Sequence, residues 1–239
     1  MKYIYGPVNS RRIGFSLGLS LTPYKICSFD CVYCQLGRTT QLTIQRQEYL
    51  KIGEVIEVLR SWLKNNPQEA GRLNYITLSG SGEPTLNTKI ADAIAQIKAL
   101  VKIPVALITN SSLLADAAVR HSILSADLIV PSLDAAAQEV MKKIDGPADN
   151  IEVSDIIEGL VNLRKEYRGK IWLEVMLVKG INDNLPHIRK LKEAIDRINP
   201  DKIQLNSPVR AASDAGISVV GRNKLEKIKE ILGDKAEII

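Results

Sequence analysis

The 239-residue sequence lacks the features that mark several special classes of protein. No uninterrupted apolar run approaches the roughly 18 residues that a membrane-spanning helix needs, and residues 1–7 do not show the basic, apolar and small-residue order of a signal peptide. Low-complexity tracts, short repeats and long Pro/Gly-rich linkers are also missing. We therefore expect a single domain in the cytoplasm rather than in a membrane, with a lead segment over 1–14, the main fold over 15–210 and a helical tail over 211–239.

Cysteine is scarce, and its odd count of three excludes a complete set of internal disulfides. All three lie within one stretch of eight residues, as Cys27, Cys31 and Cys34. Even in a fully extended chain the first spacing reaches at most about 13 Å and the second about 10 Å, so the thiols converge on one object. A structural zinc site needs four ligands, and the only histidines, His121 and His187, lie far away on predicted helices. A cubane iron–sulfur cluster also normally takes four cysteines, so three would leave one iron open to a small chelating molecule.

What the chain does contain is typical of a globular protein. The hydrophobic content is 45% and the charged content 25%, which excludes a disordered chain and a mini-protein. Residues 1–50 contain six Lys/Arg against two acids, and so carry four of the five net positive charges. This asymmetry is compatible with an anionic partner such as a nucleotide or RNA, although a net charge of +5 is also an ordinary charge for solubility.

Apolar runs of strand length alternate with stretches of helical periodicity. Strands are predicted over 15–21, 75–78, 105–108, 128–130, 171–178 and 203–205, and helices over 52–63, 90–100, 113–124, 156–167, 186–198 and 224–232. Six such units predict an α/β fold with a parallel sheet and outer helices, because parallel neighbours need crossover connections. Eight units would close a full TIM-type barrel, so we expect an open, partial (β/α)6 barrel, with a doubly wound sheet as the alternative. In either fold a site is expected at the carboxyl ends of the strands.

The spacing CxxxCxxC, with Tyr33 directly before the last cysteine, resembles the signature of radical S-adenosylmethionine (SAM) enzymes. The resemblance implies a [4Fe–4S] cluster on the three cysteines, with the amino and carboxylate groups of SAM on the fourth iron. A second segment, directly after the predicted strand 75–78, looks like the Gly-Gly-Glu segment with which this family contacts the methionine amino group. Its members are Gly80, Ser81, which replaces the first glycine, Gly82 and Glu83. The alternative is a plain turn before Pro84.

Polar residues follow the later strands as well. By resemblance, Ser132, Asp134 and Glu174 are candidates for contacts with the ribose and methionine of SAM. The substrate candidates are Arg11, Arg12, Asn110, Gln204 and Asn206. Asn110 and Asp134 have an alternative role as helix caps or turn formers, and the two arginines as a solvated or structural pair.

Nearly the whole chain resembles a branch of the family that is grouped with the tRNA wyosine-base synthases. The segments that carry this likeness are 6–14, 131–135, 177–183 and 204–210. Wyosine synthases hold a second cluster on further cysteines, and this chain has none to spare, so we do not expect that reaction here.

The resemblance implies that an external one-electron donor of the flavodoxin or ferredoxin type reduces the cluster, and that a 5′-deoxyadenosyl radical abstracts hydrogen from the substrate. A short barrel leaves its mouth to be covered by the terminal segments or by a large substrate. We expect the substrate to be an RNA base, with Arg11, Arg12, Arg38 and Arg46 in contact with phosphates. Alternatively, this chain is an activase, and its substrate is a protein in which it installs a glycyl radical. A non-catalytic iron–sulfur or zinc-binding module is the alternative from another class.

Overall fold

The computed structural model describes residues 3–208 and 213–239. The strands are β1 (Ile4–Ser10), β2 (Gly14–Leu19), β3 (Ile26–Cys27), β4 (Gln41–Leu42), β5 (Tyr75–Leu78), β6 (Val105–Thr109), β7 (Leu128–Pro131), β8 (Lys170–Met176), β9 (Lys202–Asn206) and β10 (Ala236–Ile238). The helices are α1 (Ile52–Asn65), α2 (Pro67–Ala70), α3 (Ile90–Leu100), α4 (Ala117–Ile123), α5 (Gln138–Ile144), α6 (Val153–Glu166), α7 (Leu185–Ile198) and α8 (Arg222–Leu232).

Eight strands form one sheet in the order β1-β2-β5-β6-β7-β8-β9-β10, and β3 pairs with β4 separately. All neighbours from β2 to β10 are parallel, and β1 is antiparallel to β2. The six predicted strands are therefore confirmed as the centre of the sheet. Their spatial order follows the chain order without a reversal, which excludes the doubly wound alternative and leaves the barrel-like arrangement.

The helices other than the short α2 pack on one face of this sheet because each has an apolar stripe. In α1, Val55 and Leu59 are fully buried, one turn apart. They join a core with alternate strand residues such as Leu107 in β6 and Leu173 in β8. Strand residues of the opposite parity face away from the helices, into the concave side of the sheet.

The concave side begins with a small apolar cluster of its own. Ile13, in the turn between β1 and β2, packs against Ala106, Leu128 and Val130 of β6 and β7. This turn therefore crosses the inside of the sheet from its β1 edge. It closes the end at which the parallel strands begin and leaves the carboxyl ends of the strands for the site.

Several elements differ from the sequence predictions. The helix predicted over 113–124 begins only at Ala117, because residues before it form a turn with Ser111 in the left-handed region (φ 68°) and Asp116 caps the helix by accepting from the Ala118 amide. Six elements, β1, β3, β4, α2, α5 and β10, were not predicted, and the tail over 211–239 holds β10 besides α8. The last two residues of the segment 204–210, Val209 and Arg210, lie outside the described residues. None of the helices within the described ranges has the length and apolarity needed to cross a membrane.

Candidate active site

The cysteine loop, residues 27–34, follows the carboxyl end of β2, where the fold prediction placed it. Its backbone is fixed by the segment that follows α5: the amide of Asp30 donates to the carbonyl of Asp145 (2.9 Å), and the amide of Val32 donates to that of Ile144 (2.9 Å). On another side, the Ser213 hydroxyl donates to the carbonyl of Cys31 at 2.7 Å. Segments distant in sequence thus hold the loop in one shape.

Each of the three thiols has a different polar neighbour. The Asn110 amide donates to Cys27 Sγ at 3.6 Å, and Lys25 Nζ donates to Cys34 Sγ at 3.1 Å. Burial raises the pKa of Cys27 to about 11 and the pKa of Cys31 well above its ordinary value. Burial therefore opposes ionisation of both thiols unless a cation lies close to them, as the iron of a bound cluster would.

The donor set fits an iron–sulfur cluster. All three cysteines are free, and within the described residues no three His, Cys, Asp or Glu side chains are gathered tightly enough to share one metal ion. The ligands of one zinc all stand about 2.0–2.3 Å from it, whereas a cubane distributes its ligands over four irons. Three free thiols on one loop are the type of donor that such a cluster takes.

The segment 79–83 is bonded directly to the start of the cysteine loop. The amide of Lys25 donates to the carbonyl of Ser81 at 2.6 Å, and the amide of Glu83 donates to that of Ile26 at 3.2 Å. A Cβ on Gly82 would stand 1.8 Å from the Ile26 carbonyl oxygen, so only glycine permits this approach. Gly80 has φ +107°, and a Cβ there would meet the Ser20 hydroxyl and the Tyr5 ring, both at 2.7 Å. The glycines of this segment therefore serve close backbone packing.

The Glu83 carboxylate lies inside the protein and is 2% exposed. It accepts four hydrogen bonds: from the amide and hydroxyl of Thr85 (3.1 and 2.6 Å), the hydroxyl of Thr109 (2.7 Å) and the amide of Asn110 (2.8 Å). Burial raises its pKa, and these donors oppose the rise. The side chain braces the ends of β5 and β6, and its direct contact with an ammonium group stays a prediction.

A buried acidic pair, Asp134 and Asp145, lies near Cys31. The Tyr33 hydroxyl donates to Asp134 Oδ2, and the Met176 amide donates to Oδ1 at 2.8 Å. Burial raises the pKa of Asp134 to about 7. Burial and the Asp134 charge raise the pKa of the neighbouring Asp145 well above its ordinary value, and the two carboxyl groups are hydrogen-bonded to each other. Asp145 was not predicted, because nothing in the sequence around it signals a site.

Ser132 lies beside this pair, at the end of β7. Its amide donates to the carbonyl of Thr109 at 2.9 Å, its carbonyl accepts from the Ser111 hydroxyl at 2.7 Å, and its backbone pairs with that of Glu174. A small cavity opens next to the loop, and the predicted residues among its lining are Tyr33, Asn110, Ser132 and Asp134. The structure thus brings these four together.

The remaining candidates form a polar layer on the concave side. Arg12 makes a salt bridge with Glu174 at 2.6 Å, and Glu174 also accepts from the Asn206 amide at 3.2 Å. Arg11 donates to Asn206 Oδ1 at 3.2 Å, and the Gln204 amide donates to the carbonyl of Arg12 at 2.9 Å. The sequence assigned Glu174 to SAM and the other four to substrate, whereas the structure joins them in one network, so their ligand contacts stay predictions.

Comparisons with known proteins agree with this arrangement. A family model, Radical SAM superfamily, matches residues 21–199. The chain is 35% identical over 239 residues to a UPF0026 protein of Methanocaldococcus jannaschii, covering all of this chain and 73% of that protein. It is 38% identical over 229 residues to a protein of Brachyspira hyodysenteriae called GTPase Obg, covering 96% of this chain but only a third (33%) of that relative.

Solved structures show the same fold. A radical SAM methyltransferase from Sphaerobacter thermophilus superposes with a TM-score of 0.71 at 17% identity, covering 94% of this chain and 65% of the other. TYW1 with a lysine–pyruvate adduct bound superposes with a TM-score of 0.65 at 18% identity, covering 91% and 72%. At these identities the likeness concerns the fold alone.

Proposed function

Because the chain belongs to the radical SAM superfamily, whose members are enzymes with a [4Fe–4S] cluster and SAM as cofactors, we propose that Cys27, Cys31 and Cys34 hold the cluster in this chain. The observation that carries the proposal is the count of ligands: three thiols at the carboxyl ends of the strands leave one iron for the amino and carboxylate groups of SAM. The roles proposed for the other site residues depend on this position of the cluster.

When bound at Cys27, Cys31 and Cys34, the cluster would supply the one-electron reduction of SAM that starts hydrogen abstraction from the substrate. The protein's own residues position the reactants. The acidic pair near Cys31 is anchored through Tyr33 and the Met176 amide. Asp134 therefore has a fixed orientation towards the small cavity that it lines. The polar layer around Arg12 and Glu174 lies on the concave side, and Glu174 pairs through its backbone with Ser132, which lines this cavity.

The electron comes from an external one-electron donor of the flavodoxin or ferredoxin type. The three free thiols favour a cytoplasmic location, where such cysteines stay reduced.

We assign a modified RNA base as the substrate class. Residues 31–47 contain two arginines and no acidic residue, and the Arg38 side chain is 60% exposed while it makes a salt bridge with Asp30 at 3.1 Å. This strip begins inside the cysteine loop, so phosphates bound there would lead a flanking base towards the site. The test is the affinity of the protein for a short RNA, measured by fluorescence anisotropy at salt concentrations between 50 and 200 mM. Affinity should fall steeply with salt, and Arg38→Ala should reduce the logarithmic slope by about 1, while Arg60→Ala on α1 leaves it unchanged. Salt-insensitive binding, or none, removes the RNA assignment.

The cofactor assignment is tested by anaerobic reconstitution with iron and sulfide, followed by reduction and electron paramagnetic resonance with and without SAM. We expect about four irons and four sulfides per chain, a cluster signal that changes on adding SAM, and formation of 5′-deoxyadenosine. Cys31→Ala should lose all three. A stable cluster that is indifferent to SAM, or bound zinc alone, would instead identify a non-catalytic binding module.

A further inference from the structure

Lys25 is a buried lysine next to the cysteine loop. Its residue is 2% exposed, and its backbone has φ 55°, in the left-handed region that residues other than glycine rarely adopt. Hydrogen bonds on both sides hold this conformation: its amide donates to Ser81, and its carbonyl accepts from the amides of Thr40 (3.0 Å) and Gln41 (3.2 Å). The side chain therefore leaves a fixed point of the backbone in a fixed direction.

The ammonium group points at a sulfur atom. Lys25 Nζ stands 3.1 Å from Cys34 Sγ, to which it donates a hydrogen bond. Within residues 3–208 and 213–239, Lys25 makes no salt bridge with a carboxylate. A buried cation needs a compensating negative charge. Here the cluster held by the cysteines would supply that charge.

We propose that Lys25 is a positioning residue that acts through Cys34 to raise the reduction potential of the cluster. The inference rests on the proposed function. Reduction adds one electron, [4Fe–4S]²⁺ + e⁻ → [4Fe–4S]⁺, supplied by the external donor. A fixed positive charge that also donates a hydrogen bond to a ligand sulfur stabilises the more negative, reduced state more than the oxidised one. Lys25 thus makes the cluster easier to reduce.

The test is the midpoint potential of the reconstituted protein, measured from the signal of the reduced cluster at a series of poised potentials without SAM. Lys25→Met keeps the length of the side chain and removes its charge. We expect the ratio of reduced to oxidised cluster at a fixed potential to fall about tenfold, equivalent to about 59 mV for a one-electron couple. Lys25→Arg should retain most of the wild-type potential, because it keeps both the charge and the donor. Lys51→Met is the matched control, since the Lys51 side chain is 72% exposed and lies in solvent.

Iron and sulfide content are measured in every variant, so that potentials are compared only between fully loaded proteins. If Lys25→Met does not load, Lys25→Gln replaces it, and its potential should lie below that of Lys25→Arg. A ratio within twofold of the wild-type value in the uncharged variant overturns the role of Lys25 and leaves the cluster assignment intact. A wild-type chain that takes up no cluster overturns the proposed function instead.

Discussion

Arg120 and Glu166 form a buried contact between α4 and α6 that depends on charge. Arg120 is 6% exposed and donates twice to Glu166, from Nε at 3.0 Å and from an Nη at 2.8 Å. Its other Nη atom donates to the carbonyls of Leu114 and Ala115. The guanidinium therefore ties the carboxylate to the turn before α4. Hydrogen bonds from Arg120 lower the pKa of Glu166 below its ordinary value of 4.5.

Replacing Glu166 by Gln should lower the free energy of unfolding by about 1.5 kcal/mol at pH 7, because the carboxylate that Arg120 needs is lost. Since the folded pKa is depressed, this contribution is present above pH 4.5 and is lost as the pH falls through the folded pKa. Urea unfolding of both chains over falling pH measures it, and the two curves should converge in acid. Glu57→Gln, in an exposed pair on α1, serves as control and should differ little from wild type at any pH. A constant difference at all pH values would contradict the ionic origin.

Single residues of the site differ in how far the sequence predicts them. The cysteines follow from spacing alone, because three ligands within eight residues must share one object. The partner of Arg12 does not follow, since that contact depends on how distant segments meet, and the contact of Lys25 with Cys34, nine positions on, depends on the shape of the loop. A lysine before a cysteine carries no local sign that it will be buried. The pairing of Arg12 with Glu174 spans 162 positions and leaves no local pattern.

Two helical glycines show how packing decides the effect of the same change. A Cβ on Gly159 in α6 would stand 2.5 Å from the backbone carbon of Leu114, whereas a Cβ on Gly53 in α1 would meet nothing within 4 Å. Gly159 therefore sets the distance between α6 and the turn before α4.

Gly159→Ala should destabilise the protein by about 1–3 kcal/mol, because backbone must move to admit the methyl group. Gly53→Ala should stabilise it by about 0.5–1 kcal/mol, because alanine loses less conformational entropy on forming a helix. Thermal and urea unfolding of the two variants measure both signs. A stabilised Gly159→Ala chain would show that α6 shifts freely against the turn.

Among the larger elements, prediction succeeded where the pattern was long or fully buried. The bounds of β5 and α3 agree with the predicted ones to the residue, since each is a continuous or periodic apolar run. The missed elements lack such a signal: β1 buries only Ile4, α5 has seven residues and β10 three. Their places are fixed by partners elsewhere in the chain.

At the scale of the whole molecule, no hydrogen-bonded ladder joins the first and last strands of the sheet within the described residues, and side chains join its two ends instead. Arg12 leaves the β1–β2 turn and reaches Glu174 in β8, and the side chain of Glu174 is 6% exposed against 33% for Arg12. Arg11 reaches Asn206 in β9. One turn near the start of the chain thus spans the concave side.

Arg12→Met should lower the free energy of unfolding by about 3 kcal/mol, because it leaves the buried Glu174 without its cation. Arg12→Met combined with Glu174→Gln should cost less than the sum of the single changes. A double-mutant cycle by urea unfolding measures this coupling, which we expect to exceed about 1.5 kcal/mol. Additive single effects would mean that the Arg12–Glu174 pair does not hold the turn.

The β1–β2 turn also limits the size of the molecules that can reach the concave side of the sheet. A sheet whose first and last strands are not paired has an aperture that the backbone alone leaves undetermined. In this chain two guanidinium groups bridge it, so its width is set by the reach of two arginine side chains. Shorter or longer residues at positions 11 and 12 would change the width of the aperture, and with it the width of the molecule that can enter. The three cysteines would stay the same.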